Sequence, residues 1–130
     1  MATVLLVEDE KIPQFVVRKI VENSGYEIVT AENGTEAIEK GQENIDLILM
    51  DIGLPEGSDA GIVATREIRK KGGKLALIPI IALTANATDE LRKKMIEAGA
   101  NSYLIKPTNE QELRQILNLY LADVKIVQFS

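Results

Sequence analysis

Four short apolar runs in this chain each stop at a side chain that can do chemistry. Val4-Leu5-Leu6-Val7 ends at Glu8-Asp9, Leu47-Ile48-Leu49-Met50 at Asp51, Ile80-Ile81-Ala82-Leu83 at Thr84, and Tyr103-Leu104-Ile105 at Lys106-Pro107. Continuous runs of this length, without polar alternation, read as parallel strands buried on both faces. A fifth strand is predicted over Glu27 to Ala31. The segments between them carry helical spacing. Lys11 to Asn23 sets Ile12, Val16, Val17, Ile20 and Val21 on one side, with Pro13 in the first turn where its missing N–H costs little. Helices are also predicted over Thr35 to Gln42, Ile62 to Lys71 (stopped by Gly72-Gly73), Asp89 to Ala98 (closed by Gly99), and about Glu110 to Leu121, capped by Asn109.

Strict alternation of strand and helix gives an α/β fold: one doubly wound parallel sheet of five strands, flanked by five helices. The flavodoxin-like order 2-1-3-4-5 is the natural choice for five such units, and it sets strands one and three side by side at the switch point. Those two strands carry Glu8-Asp9 and Asp51. The topology therefore brings three acids to the carboxyl edge of the sheet, where open α/β folds bind ligands. One folded unit is expected over residues 1–122, with 123–130 as a tail, a linker remnant or a packing strand.

Three neighbouring carboxylates repel one another unless a cation joins them. The chain has no His and no Cys, so a metal here must be held by oxygen. That favours Mg²⁺, Ca²⁺ or Mn²⁺. Asp51 taken alone could be a nucleophile, a metal ligand or a helix cap. The cap reading weakens because Ile52-Gly53-Leu54-Pro55 follows it rather than a helix start. A carboxylate can attack phosphorus, and the charge that then spreads over the phosphoryl oxygens needs cations and donors. Lys106 would supply a positive charge and Thr84 a hydroxyl. Backbone N–H groups after Ile52 and Thr84, at Gly53 and Ala85, would add donors. An X–Pro bond carries only a small cis penalty, so Lys106-Pro107 is a candidate cis peptide.

The composition narrows the classes. A length of 130 residues fits one domain with a real core. A net charge of −5 argues against direct nucleic-acid binding, which needs a basic face. The basic clusters Arg92-Lys93-Lys94 and Arg69-Lys70-Lys71 read as solvated helix faces. No apolar stretch approaches the roughly 18 residues of a membrane span, and Met1 opens no signal-peptide pattern. A soluble protein compatible with a reducing cytoplasm is expected, free-standing or as the cytoplasmic domain of a larger membrane-anchored chain.

The segments Val4–Asp9 (VLLVED), Asp46–Pro55 (DLILMDIGLP), Pro79–Ala87 (PIIALTANA) and Gly99–Pro107 (GANSYLIKP) stand in one order over nearly the whole chain. In these segments the chain resembles the receiver domain of two-component response regulators. The resemblance implies that Asp51 is the phosphoacceptor and that Glu8 and Asp9 hold Mg²⁺, with the backbone carbonyl of Gly53 completing the shell. It further implies that Thr84 is the switch hydroxyl, Lys106 the phosphate-binding lysine, Tyr103 the switch aromatic and the Lys106–Pro107 bond cis. The implied donor is a histidine kinase or a histidine phosphotransfer domain. The implied output is a protein partner read through the face of the fourth helix, fifth strand and fifth helix. Gly53 and Asn86, flanking the acceptor and the hydroxyl, are the candidate residues for tuning phosphoryl lifetime.

Two features depart from the family pattern. Pro55-Glu56-Gly57-Ser58-Asp59-Ala60-Gly61 replaces the usual Pro-x-Met-Asp-Gly; it lacks the Met and is longer by about two residues, an insertion loops tolerate. Thr108 follows Pro107 where DNA-binding regulators commonly have an aromatic. With Ala82-Leu83-Thr84-Ala85-Asn86-Ala87, this looks more like the receiver of a hybrid sensor histidine kinase. Such a domain catalyses its own phosphorylation and dephosphorylation without being a turnover enzyme. Three other readings compete. A phosphatase with an Asp nucleophile needs a second acid two residues on, where Gly53 stands. A degenerate scaffold would lack an acid, lysine or hydroxyl, and none is missing. A flavin module needs a hydroxyl-rich loop after strand one, which is absent.

Overall fold

Strands β1 (Thr3–Val7), β2 (Glu27–Ala31), β3 (Leu47–Asp51), β4 (Ile80–Thr84) and β5 (Ser102–Ile105) lie parallel in the order 2-1-3-4-5. The computed structural model describes residues 2–41 and 44–129, with side chains described through residue 121. Register is set centrally by Leu5 opposite Val29 and Ile48, by Leu49 opposite Ile81, and by Leu83 opposite Leu104. β1, β3 and β4 lie inside the sheet and are almost wholly buried, which is why their sequences run apolar without alternation.

The helices are α1 (Lys11–Asn23), α2 (Gly34–Gly41), α3 (Ala60–Lys70), α4 (Asp89–Ala98) and α5 (Glu110–Phe129). Strand side chains alternate between two cores. Val4, Leu6, Leu49, Ile81 and Leu83 pack with Val17 and Val21 of α1 and with Leu113, Leu117 and Leu121 of α5. Leu5, Val7, Ile48, Met50 and Ile80 face the other way, onto Ala37 of α2 and Ala64 and Ile68 of α3. Each large aliphatic side chain so buried contributes about 1.5–3 kcal/mol against leaving it in water.

Several boundaries differ from those the periodicity predicts. α2 begins one residue earlier, at Gly34, because the Asn33 side chain accepts from the Glu36 amide at 2.8 Å and acts as its cap. Its predicted end at Gln42 lies outside the described residues. α3 begins at Ala60, two residues early, and a turn of 3-10 helix, Gly73–Ala76, follows the glycine stop. α5 runs on to Phe129, past Leu121, so residues 123–129 are helical rather than a packing strand; Ser130 lies outside the described residues. The predicted Asn109 cap is in place, its Oδ1 accepting from the Glu112 amide at 3.0 Å; Thr88, not among the predicted caps, caps α4 through Oγ1, accepting from the Leu91 amide at 3.2 Å. Among the described residues, no helix is long and apolar enough to cross a membrane.

Candidate functional site

The sheet ladder continues one residue beyond the strands, and this fixes the backbone of the polar edge. The Glu8 amide donates to the Ala31 carbonyl at 2.9 Å, the Ile52 amide to Leu83 at 3.0 Å, and the Lys106 amide to Thr84 at 2.7 Å. Glu8, Asp51 and Thr84 are each buried to within a few per cent, held there by apolar strands that cannot shift without exposing the core.

Glu8, Asp9 and Asp51 each present a carboxylate oxygen within 4.8 Å of the others. Lys106 closes the group: its Nζ donates to Glu8 Oε1 and to Asp51 Oδ2, each at 3.0 Å. Burial pushes the Glu8 carboxyl above its ordinary range and the adjoining Asp51 adds to this, while the Lys106 ammonium and the Glu10 amide pull the other way. Burial alone would lower the Lys106 pKa, but the two carboxylates outweigh it and raise it. The Glu10 amide donates to Glu8 Oε2 at 3.2 Å, and the Gly53 amide to Asp51 Oδ1 at 3.3 Å. An all-oxygen set crowded around one point, with a single ammonium as counter-charge, suits a hard divalent cation.

Thr84 turns its hydroxyl to the chain after β4, donating to the Asn86 carbonyl at 2.6 Å and accepting from the Asn86 amide at 3.2 Å. The contact to Asn86 is thus through its backbone, and both Ala85 and Asn86 are exposed. Tyr103 is half-buried against the Met95–Ala98 side of α4, with the Arg92 guanidinium 5.7 Å from its ring centre. Arg92 therefore does more than face solvent. The Lys106–Pro107 peptide is cis.

Three supporting residues carry no sequence signal of their own. Gln14 is buried and donates from Nε2 to the Glu8 carbonyl at 2.9 Å, tying α1 to the acidic pair. Gly61 passes so close to β3 that a β-carbon there would stand 2.0 Å from the Asp51 carbonyl oxygen. Glu56, at the tip of the long loop, accepts from the amides of Gly34 and Thr35.

A pattern described as "Response regulator receiver domain" matches residues 4–118. The chain belongs to that family. Receiver domains are phosphoacceptors of two-component signalling and interact with histidine kinases or phosphotransfer proteins. Among relatives of this receiver domain, the transcriptional regulatory protein ResD of Bacillus subtilis is 42% identical over 85% of the chain, which spans 44% of ResD. The polar-differentiation response regulator DivK of Brucella anthropi is 36% identical over 93% of the chain and 97% of its own length. The crystal structure of the receiver domain of sensor histidine kinase PA1611 from Pseudomonas aeruginosa superposes with a TM-score of 0.84 at 38% identity, covering 93% of this chain and 98% of that one. That structure has a magnesium ion coordinated in its active site cleft.

Proposed function

We propose that this receiver takes its phosphoryl group on Asp51, from the phosphohistidine of a histidine kinase or histidine phosphotransfer domain. A carboxylate oxygen of Asp51 attacks phosphorus, the phosphorus–nitrogen bond breaks, and its electron pair leaves on the imidazole. The product is an acyl phosphate. The observation that carries this reading is the Lys106 ammonium bonded at 3.0 Å to both Glu8 and Asp51, among three acids at the carboxyl edge of the sheet.

Glu8, Asp9, Asp51 and the backbone carbonyl of Gly53 would hold Mg²⁺; Mn²⁺ suits the same oxygen donors. The metal supplies positive charge to the phosphoryl oxygens in the transition state. Lys106 offers the remaining charge, and the amides of Gly53 and Ala85 offer donors. Thr84 is the switch hydroxyl: it leaves its local bonds to Asn86 for the phosphoryl oxygen, and Tyr103 follows inward. Gly53 and Asn86 are the residues we assign to phosphoryl lifetime. The domain catalyses its own modification stoichiometrically and is not a turnover enzyme, because Gly53 stands where a phosphatase would need its second acid.

The apolar side chains Ile12, Phe15 and Val16 of α1 are exposed, beside a cleft of about 400 Å³ lined by Glu8, Lys106, Pro107 and Thr108. This face suits the phosphodonor. Ile96, Ile105 and Leu119 are exposed on α4, β5 and α5 and suit a downstream protein partner rather than nucleic acid or a membrane. We place the domain in the cytoplasm, over residues 1–122, with 123–130 as a C-terminal tail or linker remnant.

Incubation with acetyl phosphate, with and without Mg²⁺, tests the assignment. Asp51 gains the label in the presence of Mg²⁺ and Asp51→Asn does not. Label that survives in the mutant, or that ignores Mg²⁺, would reject it.

A further inference from the structure

The first turn of an α-helix has amides with no partner inside the helix. In α2 the Asn33 side chain takes the amide of Glu36. The two amides before it, at Gly34 and Thr35, are taken by one carboxylate from a distant loop: Glu56 Oε1 accepts from Gly34 at 3.1 Å and Oε2 from Thr35 at 3.2 Å. The negative charge also sits at the positive end of the helix. Burial would raise the Glu56 pKa, but these amides, together with its own, hold it below the usual range.

The loop is shaped to deliver that carboxylate. Leu54 and Gly57 bond to each other in both directions, at 3.2 and 2.9 Å, folding Pro55 and Glu56 into a tight turn. Leu54 is buried in the core, so one leg of the turn is anchored. The other leg is anchored where the Gly61 amide donates to the Ile52 carbonyl at 2.8 Å. Gly53 lies between the buried Asp51 and the anchored turn. It is exposed, and its amide reaches Asp51 Oδ1 at 3.3 Å. The loop tip, Glu56 included, is exposed, and Glu56 ties it to α2.

We propose that Glu56 is a positioning residue, whose bonds to the first turn of α2 hold the β3–α3 loop so that the backbone of Gly53 stays in place for a divalent cation beside Asp51. This rests on the metal assignment proposed above. It makes the longer loop a device of this chain: the extra length carries a carboxylate across to the neighbouring helix.

Glu56→Ala and Glu56→Gln test it. Hydrogen exchange of the Gly34 and Thr35 amides reads the clamp directly, and Mg²⁺ titration of the unphosphorylated protein, followed by backbone amide shifts, reads its consequence. Glu56→Ala loses protection at both amides and binds Mg²⁺ several-fold more weakly, less than the roughly 10-fold cost of losing a group bonded directly to a metal ligand, because Glu56 acts through the loop. Glu56→Gln keeps an acceptor oxygen and falls between. The labelling defect with acetyl phosphate shrinks as Mg²⁺ approaches saturation. Unchanged exchange in Glu56→Ala would overturn the clamp. Lost protection with unchanged Mg²⁺ affinity would leave only a structural tie, and Gln as weak as Ala would assign the effect to charge; either overturns the positioning role. If the metal assignment itself is wrong, Asp51→Asn shows it separately, binding Mg²⁺ as the wild type does.

Discussion

Gly61 and Asp51 are in backbone contact: a β-carbon on residue 61 would lie 2.0 Å from the Asp51 carbonyl oxygen and 2.6 Å from the Ile52 α-carbon. Neither obstacle is a flexible side chain, so Gly61→Ala must push β3 or the start of α3. Overpacking of this kind costs about 3 kcal/mol, which urea unfolding will read. A displacement of the acceptor by about 1 Å costs about 100-fold in rate, which acetyl phosphate labelling will read. Wild-type stability and labelling in Gly61→Ala would contradict the contact.

Lys106→Ala leaves Glu8 and Asp51 buried without their shared ammonium. Breaking a buried pair costs about 3–5 kcal/mol, and the lower end applies because the lysine side chain is 23% exposed. A divalent cation can take over the charge balance. The loss of stability should therefore be large with a chelator present and much smaller in saturating Mg²⁺, by urea unfolding in both buffers. Equal losses would speak against a cation held at these acids.

The Glu8 carboxyl is raised above its ordinary value of 4.5 by burial and by Asp51. Between that value and the higher folded one, the native state binds more protons than the unfolded state. Its contribution to stability therefore falls as pH rises through the window. In metal-free buffer at neutral pH, Glu8→Gln should melt above the wild type, by about 0.5–2 kcal/mol, the ordinary size of a single stabilising substitution. The gain should vanish below the ordinary glutamate range, and Mg²⁺ should no longer stabilise the variant. Melting curves across pH, with and without Mg²⁺, check all of this.

Arg69 acts at the opposite end of the sheet. Its guanidinium donates to the carbonyls of Gly99 and Leu75 and to Asn101 Oδ1, at 2.8–3.0 Å, and Asn101 Oδ1 in turn accepts from the Ile80 amide. Gly99 is left-handed, with φ of 113°, and a β-carbon there would meet the Arg69 side chain at 2.7 Å. Arg69→Met should cost about 2–3 kcal/mol, as expected for charge-assisted bonds, with acetyl phosphate labelling unchanged. Arg69→Lys should not restore stability, since an ammonium cannot reproduce the fork.

The sheet and its acidic edge were legible because Val4–Val7 and Leu47–Met50 are buried on both faces and end abruptly in charge. Strand order followed from the count of five strand–helix units, and it brought Glu8 and Asp51 together as a consequence. What stayed hidden depends on distant partners. Gln14 on a helix reads as solvated, yet it is buried on the Glu8 carbonyl. Glu56 reads as a loop acid, yet its partners lie more than 20 residues upstream. Gly61, in the first turn of α3, has no side chain to announce the helix, because a β-carbon there would meet the Asp51 carbonyl. The resting partner of Thr84, the backbone of Asn86, is a local turn that periodicity does not encode.

The bond from Lys106 to Glu8 joins residues 98 positions apart, from the last strand of the sheet back to the first. Every strand between them must be in place before that ammonium can arrive. Non-local closure of this kind comes late and slowly in folding. Where acceptor chemistry needs that ammonium, it becomes a clock for the chain's own assembly: the onset of labelling in a refolding molecule is expected to mark the docking of β5.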